Sequence, residues 1–402
     1  QIMASSIMLS SQPALCRHGL PKLDLYPLPA RASCSMSMKT NHFGVSTPIN
    51  FHMLSSSSLQ YKSSRRNSSD RLVSRSYDET RAMSSIEGRE DGDLTITKKM
   101  SNLFDMVVQL IGPNIFWGTI IGFTATMARA WIENPQLLMS SNLTLPLRTL
   151  AVLSLLLGID FFVSPINQIS DADIDKINYP DRPIISGKMS VKSAWTLAIS
   201  AAIHSIVTAA FLDSKWLLPL VVFQIVLGGL YSTRPFYLKG STFGAIFTCA
   251  SMRGYAISLI QCAAARSTMG LPFQLTPSMA FLVIMTTVFG TTFGIMKDLP
   301  DLEGDLKMNL RTLASILGPR LLTSIGCGLL LLGYAGSIFA ALQLPHIFRQ
   351  TIVIPAHLIL ACCLVFQAWK LDKANYTKKA SKSFYLFLWN LFNAEYLLFP
   401  FI

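Results

Sequence analysis

Residues 145–175 read LPLRTLAVLSLLLGIDFFVSPINQISDADID. About 20 apolar residues, rising 1.5 Å each, cross a bilayer core. The run from 145 to 168 meets that length and then ends abruptly in NQISDADID (167–175), with three Asp inside five positions. A membrane-length segment that stops on so much negative charge needs a reason.

The rest of the chain repeats the apolar signal. Of its 402 residues, 51% are hydrophobic and 14% charged, with a mean hydropathy of +0.42. Soluble domains carry nearer a quarter charged residues, so a polytopic membrane protein is indicated. Nine spans are predicted, at 107–131, 145–168, 192–212, 215–232, 242–264, 275–297, 321–343, 351–370 and 383–402. The third and fourth are joined by Leu212-Asp213-Ser214 and form a tight hairpin. The fold class is all-α and membrane-embedded.

Charge divides the chain further. Residues 1–76 hold 18 Ser and nine Lys/Arg against two Asp, and no apolar core of a secretory signal. Ser-rich, Arg-bearing and acid-poor is the composition of an organelle transit peptide, here of the plastid type, with the mitochondrion as the competing address. Residues 77–100 are polar and mixed in charge, a linker, and 101–402 is the transmembrane domain. The formal net charge of +12 sits largely in the first 76 residues, which argues against a nucleic-acid partner. Seven Cys are scattered without CxxC spacing, so neither a disulfide framework nor a zinc site is indicated.

Segments 2, 4, 6 and 8 end on one face, whose loops carry 15 Lys/Arg against five in the opposite loops. The positive-inside rule turns that face toward the stroma, or the matrix. A second acidic stretch, KDLPDLEGD (297–305), ends segment 6. An even number of crossings separates the two stretches, so they share a face. Asn167, Asp171 and Asp175 fall at i, i+4, i+8, and Asp298, Asp301 and Asp305 at i, i+3, i+7, each one stripe of a helix. One such loop is ordinarily just solvated. Two on one face, each abutting a span, point to a shared site in which carboxylates repel unless something positive lies between them. Hard oxygen ligands select Mg²⁺ or Ca²⁺, and Mg²⁺ where phosphates are held too. Lys297, Arg253 within segment 5 and Lys239 after segment 4 are placed to meet phosphate oxygens. An ionisable residue inside a span is functional by default. The substrate class that suits such a rim is a lipid with a diphosphate head.

NQISDADID and KDLPDLEGD, together with IDKINYPDRPIISG (174–187), YSTRPFYLK (231–239) and LFNAEYLLFPFI (391–402), resemble the UbiA-type intramembrane aromatic prenyltransferases, especially their plant plastid branch. The resemblance runs from about 101 to 402. It implies nine helices around a central cavity, Mg²⁺, an allylic prenyl diphosphate donor and a phenolic acceptor. It also implies that Asn167, Asp171 and Asp175 bind one Mg²⁺-diphosphate arm and Asp298, Asp301 and Asp305 the other. Lys297, Arg253 and Lys239 would neutralise the leaving group. The chain departs from the pattern at Gly112-Pro113, where an Arg-Pro is usual, and at Asn309, where Gly is common. At Tyr237 an Arg is usual, and Arg234, three residues earlier, is assigned to the diphosphate in its place. Asp160, on the face of Asn167, is a candidate to hydrogen-bond an acceptor hydroxyl, the alternative being a pore-facing carboxyl that is simply hydrated. Phe161, Phe162, Tyr231, Phe236 and Phe293 are candidates to shield a carbocation, although helix packing is the commoner role for each singly.

The expected reaction is Mg²⁺-assisted ionisation of the allylic diphosphate and attack by a ring carbon next to a phenol. A specialised plant phenolic is the expected acceptor, with homogentisate as the alternative. A transporter is the rival of another class; it would place charges near the midplane in inverted repeats, and no convincing repeat is present.

Overall fold

A computed structural model describes residues 97–139, 144–212, 214–307 and 311–402. The transit peptide read at 1–76, most of the linker, Asp213 of the hairpin and Asn309 lie outside the described residues. The described residues form helices and no strand. In chain order these are α1 (97–111), α2 (Pro113–Glu133), α3 (Pro135–Met139), α4 (Thr144–Ser170), α5 (Ala172–Asn178), α6 (Val191–Phe211), α7 (Leu217–Ser232), α8 (Thr242–Ala250), α9 (Ala256–Thr268), α10 (Pro277–Met296), α11 (Leu302–Lys307), α12 (Leu313–Leu317), α13 (Pro319–Gln343), α14 (Gln350–Lys373) and α15 (Lys378–Leu398).

Seven of these are long and apolar enough to cross a membrane, with α8 and α9 counted as one continuous span. The other two expected spans are present as helices. One is α7, apolar but 16 residues long. The other is α15, which opens on KKASKS and is more polar along its length. The first span starts later than its hydropathy suggests. Gly112 adopts φ 98°, a left-handed value that Gly takes without a Cβ clash, and Pro113 then starts α2. Residues 107–111 therefore belong to a separate helix, α1, whose first residues lie within the stretch read as linker.

The spans pack in sequence: α4 along α6, α6 along α7, α8 against α10, and α13 along α14. Helix α15 returns to α2 and closes the ring. Two apolar cores hold it. One, around Leu155, Leu156, Val221 and Ile260, joins α4, α7 and α9. The other, around Phe289, Leu330, Leu364 and Leu388, joins α10, α13, α14 and α15. Small residues let α8 approach α10: a Cβ on Gly290 would lie 2.7 Å from the Cys249 carbonyl oxygen, and one on Gly294 2.7 Å from the Ile246 Cα. Such close contact is how helices associate in lipid, where the hydrophobic effect offers no net drive.

Candidate active site

The ends of α4 and α10 converge on one cavity of about 760 Å³. Asn167, Asp171, Asp175, Asp298, Asp301 and Asp305 all line it, with Lys239, Arg253 and Lys297. The local backbone differs between the two acidic stretches. After Ser170 the chain loosens for one residue, yet Asp171 still donates its N–H to Asn167 and Asp175 donates to Asp171. The i, i+4, i+8 stripe survives. In the second stretch it is only partly helical. Pro300 has no N–H to give, and residues 297–301 form tight turns with bonds from Leu299 to Met296 and from Asp301 to Asp298. The helix resumes at Leu302. Asp298 and Asp301 thus project from a turn and Asp305 from α11, which is the correction to a single helical stripe.

Four of the five carboxylates, Asp171, Asp175, Asp298 and Asp301, have a close charged or hydroxyl partner. Lys239 Nζ lies 2.7 Å from Asp171 Oδ1 and donates to Asn167 Oδ1 at 3.0 Å. Ser232 also donates to Asn167. Lys297 Nζ donates to Asp298 Oδ1 at 2.6 Å. Arg182 pairs with Asp175. The Tyr179 hydroxyl, at the end of α5 just after the first acidic stretch, donates to Asp301 Oδ1 of the second at 3.2 Å. The Tyr179 ring lies 4.3 Å from the Arg182 guanidinium carbon and 4.7 Å from Lys382 Nζ, cation–π contacts that tie α15 to the same rim.

Burial disfavours charge at these positions. It lowers the Lys239 ammonium below its ordinary value, against the pull of Asp171. It raises Asp301, against the Tyr179 hydrogen bond. Burial, then the charges of Asp298 and Asp301, push the Asp305 carboxyl up to about 6.

Two assigned residues stand elsewhere. Arg234 is exposed, outside the cavity lining, with its guanidinium 5.8 Å from the Tyr237 ring. Asp160 is buried behind Arg253. Its Oδ2 accepts from Thr119 at 2.5 Å and its Oδ1 from Arg253 at 3.4 Å. Of the aromatic candidates, Tyr231 and Phe293 line the cavity. Phe161 and Phe162 pack against apolar cores and Phe236 is exposed. The inner wall holds Phe293 stacked on Trp389, with centroids 4.4 Å apart, and Tyr385 beside them.

Tyr179, Arg182 and Arg311 also line the cavity and are not named as site residues from sequence; Tyr237, named there only as standing where an Arg is usual, lines it too. Arg182 had only its place in IDKINYPDRPIISG as a signal: it follows Pro180, beyond the end of α5 at Asn178, so helical spacing from Asp175 does not reach it.

Among the described residues, no three His, Cys, Asp or Glu side chains stand close enough to chelate a metal as a preformed cluster. The donors facing the cavity from both acidic stretches are nevertheless all oxygen, the set that hard divalent cations take.

Comparison with known proteins places this arrangement. The chain is 39% identical over 322 residues to the chloroplastic homogentisate solanesyltransferase of Arabidopsis thaliana, covering 80% of this chain and 82% of that one. It is 38% identical to the chloroplastic 2-acylphloroglucinol 4-prenyltransferase of Humulus lupulus, covering 80% and 78%. Among solved structures, a UbiA homolog from Archaeoglobus fulgidus, bound to GPP and Mg²⁺, superposes with a TM-score of 0.51 at 18% identity, over 74% of this chain and all of that one. A digeranylgeranylglyceryl phosphate synthase gives the same TM-score at 21% identity, over 74% and 97%. These two share the fold. The sequence profile of the UbiA prenyltransferase family matches residues 114–391, and the chain belongs to that family.

Proposed function

We propose that the protein transfers a prenyl group from an allylic diphosphate to a ring carbon of a phenolic acceptor, as an aromatic prenyltransferase of the plastid membrane. One observation carries this reading: two acidic stretches, 122 or more residues apart in sequence as Tyr179 and Asp301 are, meet across one cavity whose inner wall is aromatic.

The charge balance supports it. Asp171, Asp175, Asp298, Asp301 and Asp305 face Arg182, Lys239, Arg253, Lys297 and Arg311, five carboxylates against five cations. Such a cavity is neutral by itself, and a diphosphate would bring several negative charges into a poorly solvated space. Divalent cations must accompany it. Asp171, Asp175, Asp298, Asp301 and Asp305 would hold Mg²⁺, which supplies positive charge to the departing diphosphate.

The chain's own residues do the rest. Lys239, Lys297 and Arg253 bind phosphate oxygens and stabilise the charge that develops on them. Asn167 orients Lys239. Phe293, Trp389 and Tyr385 exclude water from the allylic carbon and present π-faces to its positive charge. Asp160 holds the Arg253 guanidinium. Its oxygens have acceptor capacity left, but it stands behind Arg253 and outside the cavity lining, so an acceptor hydroxyl would have to pass that guanidinium to reach it. Arg234 reaches the diphosphate only by leaving the Tyr237 face.

A specialised phenolic is the acceptor we favour, consistent with the phloroglucinol-acting relatives from Humulus lupulus. Homogentisate is the second reading, favoured by the similarity to the Arabidopsis enzyme. Residues 1–76 would serve as the plastid transit peptide, consistent with the chloroplastic relatives. The test is a membrane assay crossing diphosphates of increasing chain length, from dimethylallyl upward, with homogentisate and a panel of phenolics, with and without Mg²⁺. A prenylated ring product formed only with Mg²⁺ is expected. Absence of product with every pair overturns the reading.

A further inference from the structure

Helix α1 precedes the segment matched by the family profile, yet it contributes to the catalytic cavity. Gln109, Ile111 and Gly112 line it. The helix is two-sided, with Met106, Val108 and Leu110 on its flanks. Met100, Leu103, Phe104, Val107 and Ile111 fall at i, i+3, i+4, i+7 and i+11 on one face, while Lys98, Ser101, Asn102, Asp105 and Gln109 occupy the other. Toward the C-terminal end Leu110 and Ile111 are buried. Toward the start of the helix the apolar face is largely uncovered among the described residues: Met100 is 66% exposed, Leu103 57%, and Phe104, edge-on to the Phe116 ring of α2 at 5.8 Å, 49%. Two lysines, Lys98 and Lys99, stand at that end. The helix is joined to the first span by the turn at Gly112 and lies beside the end of α4 that leads into Asp171, on the face richest in Lys and Arg.

Its far end is fixed in an unusual way. The carbonyl of Gln109 would normally accept from the N–H four residues later, but that residue is Pro113 and has none. The turn at Gly112 also takes α2 out of line, leaving the Leu110 carbonyl without its helical donor. The carboxamide of Gln168 answers both: Nε2 donates to the Leu110 carbonyl at 2.8 Å and to the Gln109 carbonyl at 3.4 Å. Gln168 is itself buried and stands between Asn167 and Asp171 in the first acidic stretch.

We propose that α1 lies in the plane of the lipid–water boundary as a wall of the catalytic cavity, and that Gln168 is the positioning residue that latches it to the substrate-binding end of α4. The occupant of the exposed apolar face is the bilayer itself, with anionic headgroups meeting Lys98 and Lys99. A helix with one apolar face and flanking cations takes this position. The latch has a chemical consequence, which rests on the prenyl-transfer reading. When α1 leaves the cavity edge, water reaches the allylic carbon. The water oxygen then bonds to that carbon as the carbon–oxygen bond to diphosphate breaks, and the surplus proton goes to solvent. The products are a prenyl alcohol and diphosphate, with no acceptor consumed.

Two measurements test this. The first needs no catalysis. A photo-crosslinking amino acid is placed at Leu103 or at Ser101 in the full-length protein, in nanodiscs containing anionic lipid. Lipid adducts at 103 well above those at 101 are expected; equal yields, or none at 103, overturn the in-plane placement. The second measures prenyl alcohol against prenylated acceptor for Gln168→Ala and the parent protein. Leaving a buried carbonyl unpaired shifts a local equilibrium by on the order of tenfold, and the alcohol share is expected to rise by about that factor. Loss of folded protein would lower both products together and leave the ratio untouched, so an unchanged ratio overturns the role of Gln168. A parent protein that makes no prenylated product fails the proposed function instead.

Discussion

Replacing Asp160 by Asn separates two roles for a carboxylate buried in the membrane. The side chain is 3% exposed, and its partners are the Thr119 hydroxyl at 2.5 Å and the Arg253 guanidinium at 3.4 Å. Asn keeps the shape and an acceptor for Thr119 but removes the charge facing Arg253. A hydrogen bond to a charged group is worth about 1.5–3 kcal/mol. The Arg253 contact is at the long end of hydrogen-bonding range, so the lower figure applies, roughly a tenfold effect. If Asp160 aims Arg253 at the diphosphate, kcat/KM for the donor falls about tenfold while the KM for the acceptor is unchanged. Steady-state kinetics in membranes, with each substrate varied in turn, reads this directly. A raised acceptor KM with donor kinetics intact would refute the positioning argument and return Asp160 to the acceptor hydroxyl. Truncation to Ala is the harsher companion. It leaves Arg253 charged, 18% exposed and unpaired, and should lower the thermal midpoint as well, since removing one partner of a buried pair costs about 3–5 kcal/mol.

Asp171→Ala and Asp301→Ala should each abolish prenyl transfer while the protein accumulates normally in membranes, as followed by immunoblot of the membrane fraction; full activity in either would remove that residue from the metal-binding set. EDTA should silence the parent protein, and added Mg²⁺ should restore it. A carboxyl ligates a cation only when deprotonated, and Asp305 sits at about 6; the Mg²⁺ concentration for half-maximal activity should therefore rise as pH falls through about 6, and a flat dependence there would exclude Asp305 as a ligand. Gly290→Ala would drive a Cβ to 2.7 Å from the Cys249 carbonyl oxygen, backbone that cannot rotate aside. A loss of about 1–3 kcal/mol, seen as a lower thermal midpoint in detergent, is expected.

The spans were legible because membrane-length apolar runs leave little ambiguity, and both acidic stretches were legible because charge at a span's end stands out. What sequence spacing could not resolve were backbone departures from a regular helix. Pro300 turned an i, i+3, i+7 stripe into a turn followed by a short helix, and Gly112 cut the first span from a helix that hydropathy had merged with it. Tyr179 escaped notice for a different reason: its partners, Asp301 and Lys382, lie far along the chain and only the closed ring brings them near. Arg182 pairs with nearby Asp175, but through the turn after Pro180, which helical spacing does not describe. Arg234 shows the converse error, since a cation near a motif in sequence need not point into the site.

The break within the fifth span follows the same logic. Between α8 and α9 the backbone forms a wide turn over Ser251–Tyr255, and Gly254 has φ −107° and ψ −111°, outside the helical region. A Cβ there would lie 2.6 Å from the Thr287 Cα, so α10 leaves room for glycine alone. Wide turns inside helices concentrate at functional sites, and this one carries Arg253. A regular helix would have continued through residue 253 with its side chain set by the phase of α8. The extra residue in the turn lets α8 keep its close packing on Gly290 and Gly294 while Arg253 faces the cavity and Asp160. A guanidinium inside a span is tolerated when a fixed carboxylate answers it, and Thr119 fixes that carboxylate in turn. The irregular turn, the glycine, the arginine and the aspartate are therefore one device, and straightening the turn should disable donor binding even with every charged residue in place.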